Sequence, residues 1–76
     1  MYTLYTRPNC GLCEEAKAAL RLMQEDYPIH FREVNIEEDE QLHEQYMLMI
    51  PVLAQQQDVL LYGKFGYGEL LEALIL

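Results

Sequence analysis

The sequence predicts an α/β fold with the element order β-α-β-α-β-β-α, in which a four-stranded mixed sheet is flanked by three helices. Two observations predict it. Stretches rich in β-branched and aromatic residues alternate with stretches whose apolar residues recur at three- and four-residue steps. Late in the chain, two short apolar runs are joined by a tight polar link, which is typical of a β-hairpin.

The first strand and the first helix have the clearest patterns. Residues 2–6 are rich in strand-forming side chains, and Pro8 then moves the chain out of regular pairing. Residues 11–25 predict a helix, because their apolar residues share one face. That face consists of Leu12, Ala16, Ala19, Leu20 and Met23. Glu14 and Glu15 in the first turn complement the helix dipole.

The middle of the chain predicts a second strand and a second helix. Residues 29–36 are rich in strand formers, and the acidic run 37–40 that follows suits a helix start. Leu42 and Tyr46, four residues apart, give this helix a narrow buried face.

A hairpin and a last helix complete the expected fold. The apolar run 47–54 and the run 59–62, with a polar link between them, predict the paired strands. Glycines then mark a turn. The last helix has one apolar face, formed by Leu70, Leu71, Leu74 and Ile75.

Length and composition limit the functions to be considered. The 76 residues suit a single domain, 1–76, because a chain of this size cannot support two cores. The net charge of −8 disfavours nucleic acid and anionic membranes as partners. No apolar stretch is long enough for a membrane span, and the first residues lack a signal-peptide pattern, so we expect a cytoplasmic protein.

The two cysteines, Cys10 and Cys13, form a Cys-Gly-Leu-Cys dithiol at the start of the predicted first helix. This spacing puts the two sulfurs within reach of a disulfide. The helix N-terminus stabilises a thiolate, which makes Cys10 the candidate nucleophile. Cys13, one turn further on, is the candidate resolving thiol. Arg7 lies three residues before Cys10 and could add positive potential or bind a substrate carboxylate, whereas Glu14 and Glu15 oppose it.

Two other uses of the cysteines are possible in principle. A static brace is disfavoured, since a disulfide across so short a loop removes little entropy from the unfolded chain. An intrachain zinc site needs four ligands, and the only other soft donors, His30 and His43, are not close to the dithiol in sequence. We therefore expect no metal site and no role for either histidine.

The arrangement resembles glutaredoxins and other members of the thioredoxin superfamily, and above all the short glutaredoxin-like branch. The likeness rests on Thr6-Arg7-Pro8-Asn9-Cys10-Gly11-Leu12-Cys13 after a strand, and on Ile50-Pro51-Val52-Leu53. It implies the thioredoxin fold. It also implies that Pro51 is a cis proline across from the dithiol and that Ile50 offers backbone groups to a peptide or to glutathione.

Three stretches depart from typical glutaredoxins. Gly11-Leu12 replaces Pro-Tyr between the cysteines, and Ile50 replaces a smaller or polar residue. The glutathione motif is represented only by Gly66-Tyr67-Gly68-Glu69, which marks Gly66 and Gly68 as candidate substrate-binding residues. Tyr67 and Glu69 in that corner predict weak binding of glutathione, with Arg7 placed to offset it.

The leading functional hypothesis is a thiol-disulfide oxidoreductase, acting as a monomer without a tightly bound cofactor. Its substrate is a protein disulfide or a low-molecular-weight disulfide, and its electron donor is glutathione, as a co-substrate, or a reductase. One alternative is an iron-sulfur cluster or metal carrier in which Cys10 is a ligand. Another is a redox-silent interaction module that uses an exposed sheet edge or Met47-Leu48-Met49, although such methionines are more often core residues.

Overall fold

The computed structural model describes all residues from Met1 to Leu76, and it has the expected order of elements. The strands are β1 (Tyr2–Thr6), β2 (Phe31–Asn35), β3 (Val52–Gln55) and β4 (Asp58–Tyr62). The helices are α1 (Gly11–Gln24), α2 (Glu40–Tyr46) and α3 (Tyr67–Leu74), and a 3₁₀ turn, Ile36–Glu38, precedes α2. None of the helices has the length and apolarity needed to cross a membrane.

The four strands form one mixed sheet in the order β2-β1-β3-β4. β1 runs parallel to β2 and antiparallel to β3, and β3 and β4 form an antiparallel hairpin. In the central pair, Tyr5 lies opposite Val52. The C-terminal end of β1, which leads to the dithiol, and the N-terminal end of β3, which follows Pro51, therefore lie at the same end of the sheet.

The sheet carries an apolar cluster on each face. The main cluster joins the sheet to α1 and α3, and it consists of Leu4, Ala16, Leu20, Met23, Leu53, Phe65 and Leu70. A smaller cluster of Ile36, Tyr46 and Val52 joins the sheet to α2. Because side chains alternate along a strand, the neighbours Val52 and Leu53 serve opposite faces.

The buried face of α1 differs from the predicted one at its first position. Leu12 was expected in the apolar face, but it is 39% exposed, while Cys13 is buried. Cys13, Ala16, Leu20 and Met23 follow one another at three- and four-residue steps, which defines the helix face. Leu12 is one residue out of this register and points about 100° away from it.

The second strand and second helix are both shorter than predicted. β2 ends at Asn35, because Ile36 begins the 3₁₀ turn and the Asn35 side chain accepts a hydrogen bond from the Glu37 N–H. α2 begins only after Asp39, whose carboxylate accepts the N–H groups of Gln41 and Leu42. The acidic run thus forms a turn and a cap before the helix.

The apolar run 47–54 is a strand only in its last part. The N–H groups of Met49 and Ile50 both donate to the Tyr46 carbonyl and close the end of α2. Leu48 is 92% exposed, and Met47 is exposed as well, although it was expected in the core, whereas Met49 packs against the smaller cluster as expected. At the C-terminus, Ile75 lies past α3 and is exposed, so it does not contribute to the predicted apolar face.

The two leucines at positions 20 and 22 provide a matched test of the core. Leu20→Ala removes a fully buried side chain from the main cluster, so the free energy of unfolding should fall by about 2–5 kcal/mol. Leu22→Ala changes an exposed leucine on the same helix and should stay within about 0.5 kcal/mol of the parent. Urea denaturation monitored by circular dichroism measures both, and equal losses would contradict this packing of α1.

Candidate functional site

The dithiol lies at the N-terminus of α1. Cys10 is the N-cap residue, with extended backbone angles (φ −118°, ψ 104°), and its sulfur accepts a hydrogen bond from the Cys13 N–H at 3.1 Å. The two cysteines are joined by a disulfide, with their Cα atoms 5.2 Å apart. The first N–H groups of a helix have no partner within it, so a sulfur placed here receives both a hydrogen bond and the positive end of the helix dipole.

The two cysteines differ sharply in exposure. Cys10 is partly exposed, whereas Cys13 is 1% exposed and belongs to the buried face of α1. An approaching molecule therefore meets Cys10 first, and Cys13 is reached only from within the protein. The roles of Cys10 as attacking thiol and Cys13 as resolving thiol stay predictions.

The loop between β1 and α1 turns sharply before Cys10. Asn9 has a positive φ of 58°, a conformation that asparagine adopts more readily than most residues. Arg7 is exposed and makes no ion pair. A pocket of about 200 Å³ lies beside this loop, and its lining includes Arg7, Pro8, Asn9, Glu14, Lys17 and Glu33. The predicted substrate residue Arg7 thus lies free at the dithiol end of the molecule.

Ile50 and Pro51 lie at the same end of the sheet, at the start of β3. The peptide bond between them is cis. The pairing of Tyr5 with Val52 places Pro51 next to the end of β1. The Pro51 side chain is fully buried, while Ile50 is half-buried. Of these two predicted substrate residues, only Ile50 presents side-chain surface.

Hydrogen bonds within the protein occupy most of the main chain around Pro51. The N–H groups of Met49 and Ile50 donate to the Tyr46 carbonyl at 2.8 and 3.1 Å. The Gly63 N–H donates to the carbonyls of Met49 and Pro51, at 2.9 Å each. Proline has no N–H. Only the Ile50 carbonyl of this segment is left without an internal partner.

At the predicted glutathione corner, at the start of α3, one backbone N–H group already has an internal partner. The Gly66 N–H donates to Glu69 Oε1 at 2.8 Å, and this backbone hydrogen bond lowers the pKa of the Glu69 carboxyl. Gly68 is exposed in the first turn of α3. No hydrogen bond joins either glycine to the dithiol.

Tyr67 points away from the dithiol. Its hydroxyl donates to Asp26 Oδ2 at 3.1 Å, and Asp26 lies beyond the C-terminal end of α1. That end is about 20 Å from Cys10, at 1.5 Å of rise per helical residue. The Tyr67 hydroxyl is therefore directed toward the far end of α1, and the predicted effect of Tyr67 on glutathione binding stays a prediction.

Thr6, Glu14, Lys17 and Glu33 form a polar network that links β1, β2 and α1. The sequence alone did not predict this network. The buried Thr6 donates from Oγ1 to Glu33 Oε2 at 2.8 Å. Lys17 Nζ lies 3.1 Å from Glu33 Oε1 and 3.0 Å from Glu14 Oε2. Only the contact of Glu14 with Lys17 has a sequence signal, the i,i+3 spacing of opposite charges. The position of Glu33 depends on the pairing of β1 with β2.

The network shifts the pKa values of Lys17 and Glu33 in opposite directions. Hydrogen bonds to Glu14 and then Glu33 raise the pKa of Lys17 above 10.5. For Glu33, burial favours a higher pKa, but hydrogen bonds from Thr6 and Lys17 outweigh it and hold the pKa below 4.5. The charged forms of both groups are thus favoured in the folded state, and the pair stabilises the protein between these two pH values.

Replacing Glu33 by glutamine should flatten the acid side of the stability profile. Because the pKa of Glu33 is lowered on folding, its contribution is present above pH 4.5 and is lost as the pH falls through the folded-state pKa. Near neutral pH, Glu33→Gln should lower the free energy of unfolding by less than about 1 kcal/mol. In acid, the free energies of unfolding of the variant and the parent should be equal. Urea denaturation between about pH 3 and about pH 7 measures this.

The matched control for Glu33→Gln is Glu72→Gln, since Glu72 is exposed and makes no ion pair. The Glu72→Gln profile should follow the parent profile. An unchanged acid slope in Glu33→Gln would show that the network does not stabilise the folded state.

The histidines lie apart from the dithiol. His43 lines the largest surface pocket, about 560 Å³, with Glu37, Glu40 and Glu44. His30 is exposed just before β2. No group of three or more histidine, cysteine, aspartate or glutamate side chains has the geometry of a metal site.

The sheet order and the position of the dithiol define a protein of the thioredoxin fold. The chain matches the glutaredoxin-like domain (DUF836) over residues 2–75 and belongs to that family. It is also similar to the crystal structure of XcR50, a structural genomics target protein from X. campestris, with 32% sequence identity and a TM-score of 0.78. That match covers 92% of this chain and 89% of the other.

A second similarity is to a much longer protein. The chain is 42% identical over 43 residues to NADPH-dependent thioredoxin reductase 3 from Arabidopsis thaliana. The matched part is 54% of this chain and only 8% of the reductase. The family, this relative and the Cys10–Cys13 disulfide together indicate a redox-type function.

Proposed function

We propose that the protein is a thiol-disulfide oxidoreductase that reduces a protein disulfide or a low-molecular-weight disulfide. The observation that carries the proposal is the unequal exposure of the two cysteines at the start of α1. Cys10 is partly exposed and its sulfur accepts a helix N–H, while Cys13 is 1% exposed one turn further on. This arrangement separates an attacking thiol from a resolving thiol.

The reaction has two exchange steps. The Cys10 thiolate attacks one sulfur of the substrate disulfide, so that a mixed disulfide forms, the substrate S–S bond breaks and the first substrate thiolate leaves. The Cys13 thiolate then attacks the Cys10 sulfur, releases the second substrate thiolate and closes the Cys10–Cys13 disulfide. Two electrons pass from the dithiol to the substrate, and the two protons end on the released thiols.

The local charges favour a thiolate at Cys10. The Cys13 N–H donates a hydrogen bond to the Cys10 sulfur, and the dipole of α1 adds positive potential there. Glu14 would oppose this charge, but Lys17 pairs with it at 3.0 Å. Arg7 has no ion-pair partner and remains available to an anionic group near Cys10.

The remaining site residues are assigned to substrate binding. Arg7 would bind a carboxylate, and Ile50, with Pro51 behind it, would contact the part of the substrate next to the reacting sulfur. Gly66 and Gly68 would contribute backbone groups at the start of α3, where Glu69 already accepts one N–H. A substrate carboxylate at this position would have to displace Glu69.

The electron donor is either glutathione, acting as a co-substrate, or a reductase. The printed name of the A. thaliana relative supports testing an NADPH-dependent thioredoxin reductase. A reducing compartment such as the cytoplasm would keep both cysteines as thiols between turnovers. The donor decides how the Cys10–Cys13 disulfide is reopened, and not how the substrate is attacked.

In the reduced protein, Cys10 should alkylate faster than Cys13 below about pH 8, because Cys10 is both more exposed and stabilised as a thiolate. Iodoacetamide labelling followed by peptide mass spectrometry measures the two rates. The urea-denatured protein is the control, and there the rates should converge. Equal rates in the folded protein would contradict the assignment of Cys10 as the attacking thiol.

A turnover assay tests the proposed function directly. With a protein disulfide as substrate and NADPH consumption as the signal, the parent should turn over with either glutathione plus glutathione reductase or thioredoxin reductase. Cys10→Ser should fall to the uncatalysed background, because the nucleophile is lost. Cys13→Ser should accumulate the mixed disulfide. No turnover with either donor would contradict the proposal.

A further inference from the structure

Lys17 is held between two carboxylates from different elements. Its ammonium lies 3.0 Å from Glu14 Oε2 and 3.1 Å from Glu33 Oε1, and its side chain is only 16% exposed. Glu33 in turn accepts a hydrogen bond from the buried Thr6 hydroxyl at 2.8 Å. The position of this ammonium is therefore fixed by β2 as well as by its own helix, α1.

The polar network lies beside the loop that ends at Cys10. The Glu14 N–H donates to the Cys10 carbonyl at 3.1 Å, so these two residues are one turn apart on one face of α1. A single pocket of about 200 Å³ is lined by Asn9, which precedes Cys10, and by Glu14, Lys17 and Glu33. Helical side chains lean toward the helix N-terminus, so the Lys17 ammonium leans toward Cys10.

The charges of the network act on Cys10 in opposite directions. A neighbouring carboxylate disfavours a thiolate, and a neighbouring ammonium favours it. Glu14 and Glu33 supply two negative charges, and Lys17 supplies the one positive charge that is paired with both. Hydrogen bonds to Glu14 and then Glu33 raise the pKa of Lys17, so the ammonium stays charged while a thiol titrates.

Other charged groups surround the dithiol on the neighbouring elements. They are Arg7 and Glu15 close to the cysteines in the chain, Arg21 on α1, Glu37 and Glu38 after β2, Lys64 after β4, and Glu69 in α3. None of them is paired with Lys17. Their contribution to the potential at Cys10 is therefore common to every variant of the Lys17–Glu33 pair.

We propose, on the basis of the proposed function, that Lys17 is a positioning residue for the Cys10 thiolate. Held in place by Glu33, it offsets the carboxylates beside the dithiol and increases the ionised fraction of Cys10 near neutral pH. Lys17 acts through its charge and does not contact the substrate. Glu33 has two opposed effects, because it fixes the ammonium while its own charge disfavours the thiolate.

Lys17→Met and Glu33→Gln separate the effect of charge from that of packing. Both replacements break the same contact, but they change the local charge in opposite directions. A Cys13→Ser background leaves Cys10 as the single thiol, and its reaction with iodoacetamide is followed by mass spectrometry as a function of pH. On the acid side of the profile, Lys17→Met should react about two- to threefold more slowly than the parent, as expected of one charge about 10 Å away.

The other variants should follow from the same charges. On the acid side, Glu33→Gln should react about twofold faster than the parent, because it removes a negative charge. The double variant loses one charge of each sign and should return to within about 1.5-fold of the parent. At alkaline pH, where Cys10 is fully ionised, all the rates should agree, since access to the sulfur is unchanged.

Arg32→Met is the matched control, because it also removes one positive charge. Arg32 lies on the opposite face of the sheet, where its Nε donates to Thr3, and the Cys10 profile should stay unchanged. Rate changes of the same sign in Lys17→Met and Glu33→Gln, or no change in either, overturn the inference. If Lys17→Met does not fold, the sign of the change in Glu33→Gln decides. The proposed function fails separately, when the parent protein shows no turnover with either electron donor.

Discussion

The unpaired N–H groups at the start of α1 are the feature on which the site depends. Every helix leaves its first N–H groups without partners, and here the Cys10 sulfur is one of the acceptors, at 3.1 Å from the Cys13 N–H. The side chain that caps the helix is therefore also the one that would carry negative charge as a thiolate. Structural and chemical demands on Cys10 coincide, because both require a negative or polarisable acceptor at the dipole's positive end.

Apolar packing keeps the start of α1 in place, and the polar network adds less. Burial of each large side chain of the main cluster contributes about 1.5–3 kcal/mol, and Leu4, Leu20 and Leu53 are all fully buried. The ion pairs of Lys17 are partly exposed and contribute below about 1 kcal/mol each. The network has a more local effect. It pairs the Glu14 carboxylate, one turn from Cys10, with a cation, which limits its repulsion of a thiolate.

The order of elements, the sheet and the position of the dithiol could all be predicted from the sequence, because each rests on a local pattern or a short motif. Most of the errors occur where distant residues decide the local structure, and one, in the run 47–54, comes from a turn that ends α2. The spacing of Leu12 fits a helical repeat, but α1 packs against the sheet through the face that contains Cys13, and Leu12 stays exposed. The run 47–54 is apolar throughout, yet the carbonyl of Tyr46 captures two of its N–H groups. The Thr6 contact to Glu33 spans 27 positions and has no local signal.

The turn after α2 determines which main-chain groups near Pro51 remain free. Closing the helix at Tyr46 requires the N–H groups of Met49 and Ile50, and this closure brings Leu48 to the outside of the turn. One local structure thus occupies the main-chain donors that precede Pro51 and leaves Leu48 exposed. The start of α3 shows the same trend, since Glu69 occupies the Gly66 N–H. Both stretches lie where this sequence departs from typical glutaredoxins, so membership of the family accounts for the fold and the dithiol, while these internal hydrogen bonds decide which main-chain groups stay free in the two stretches.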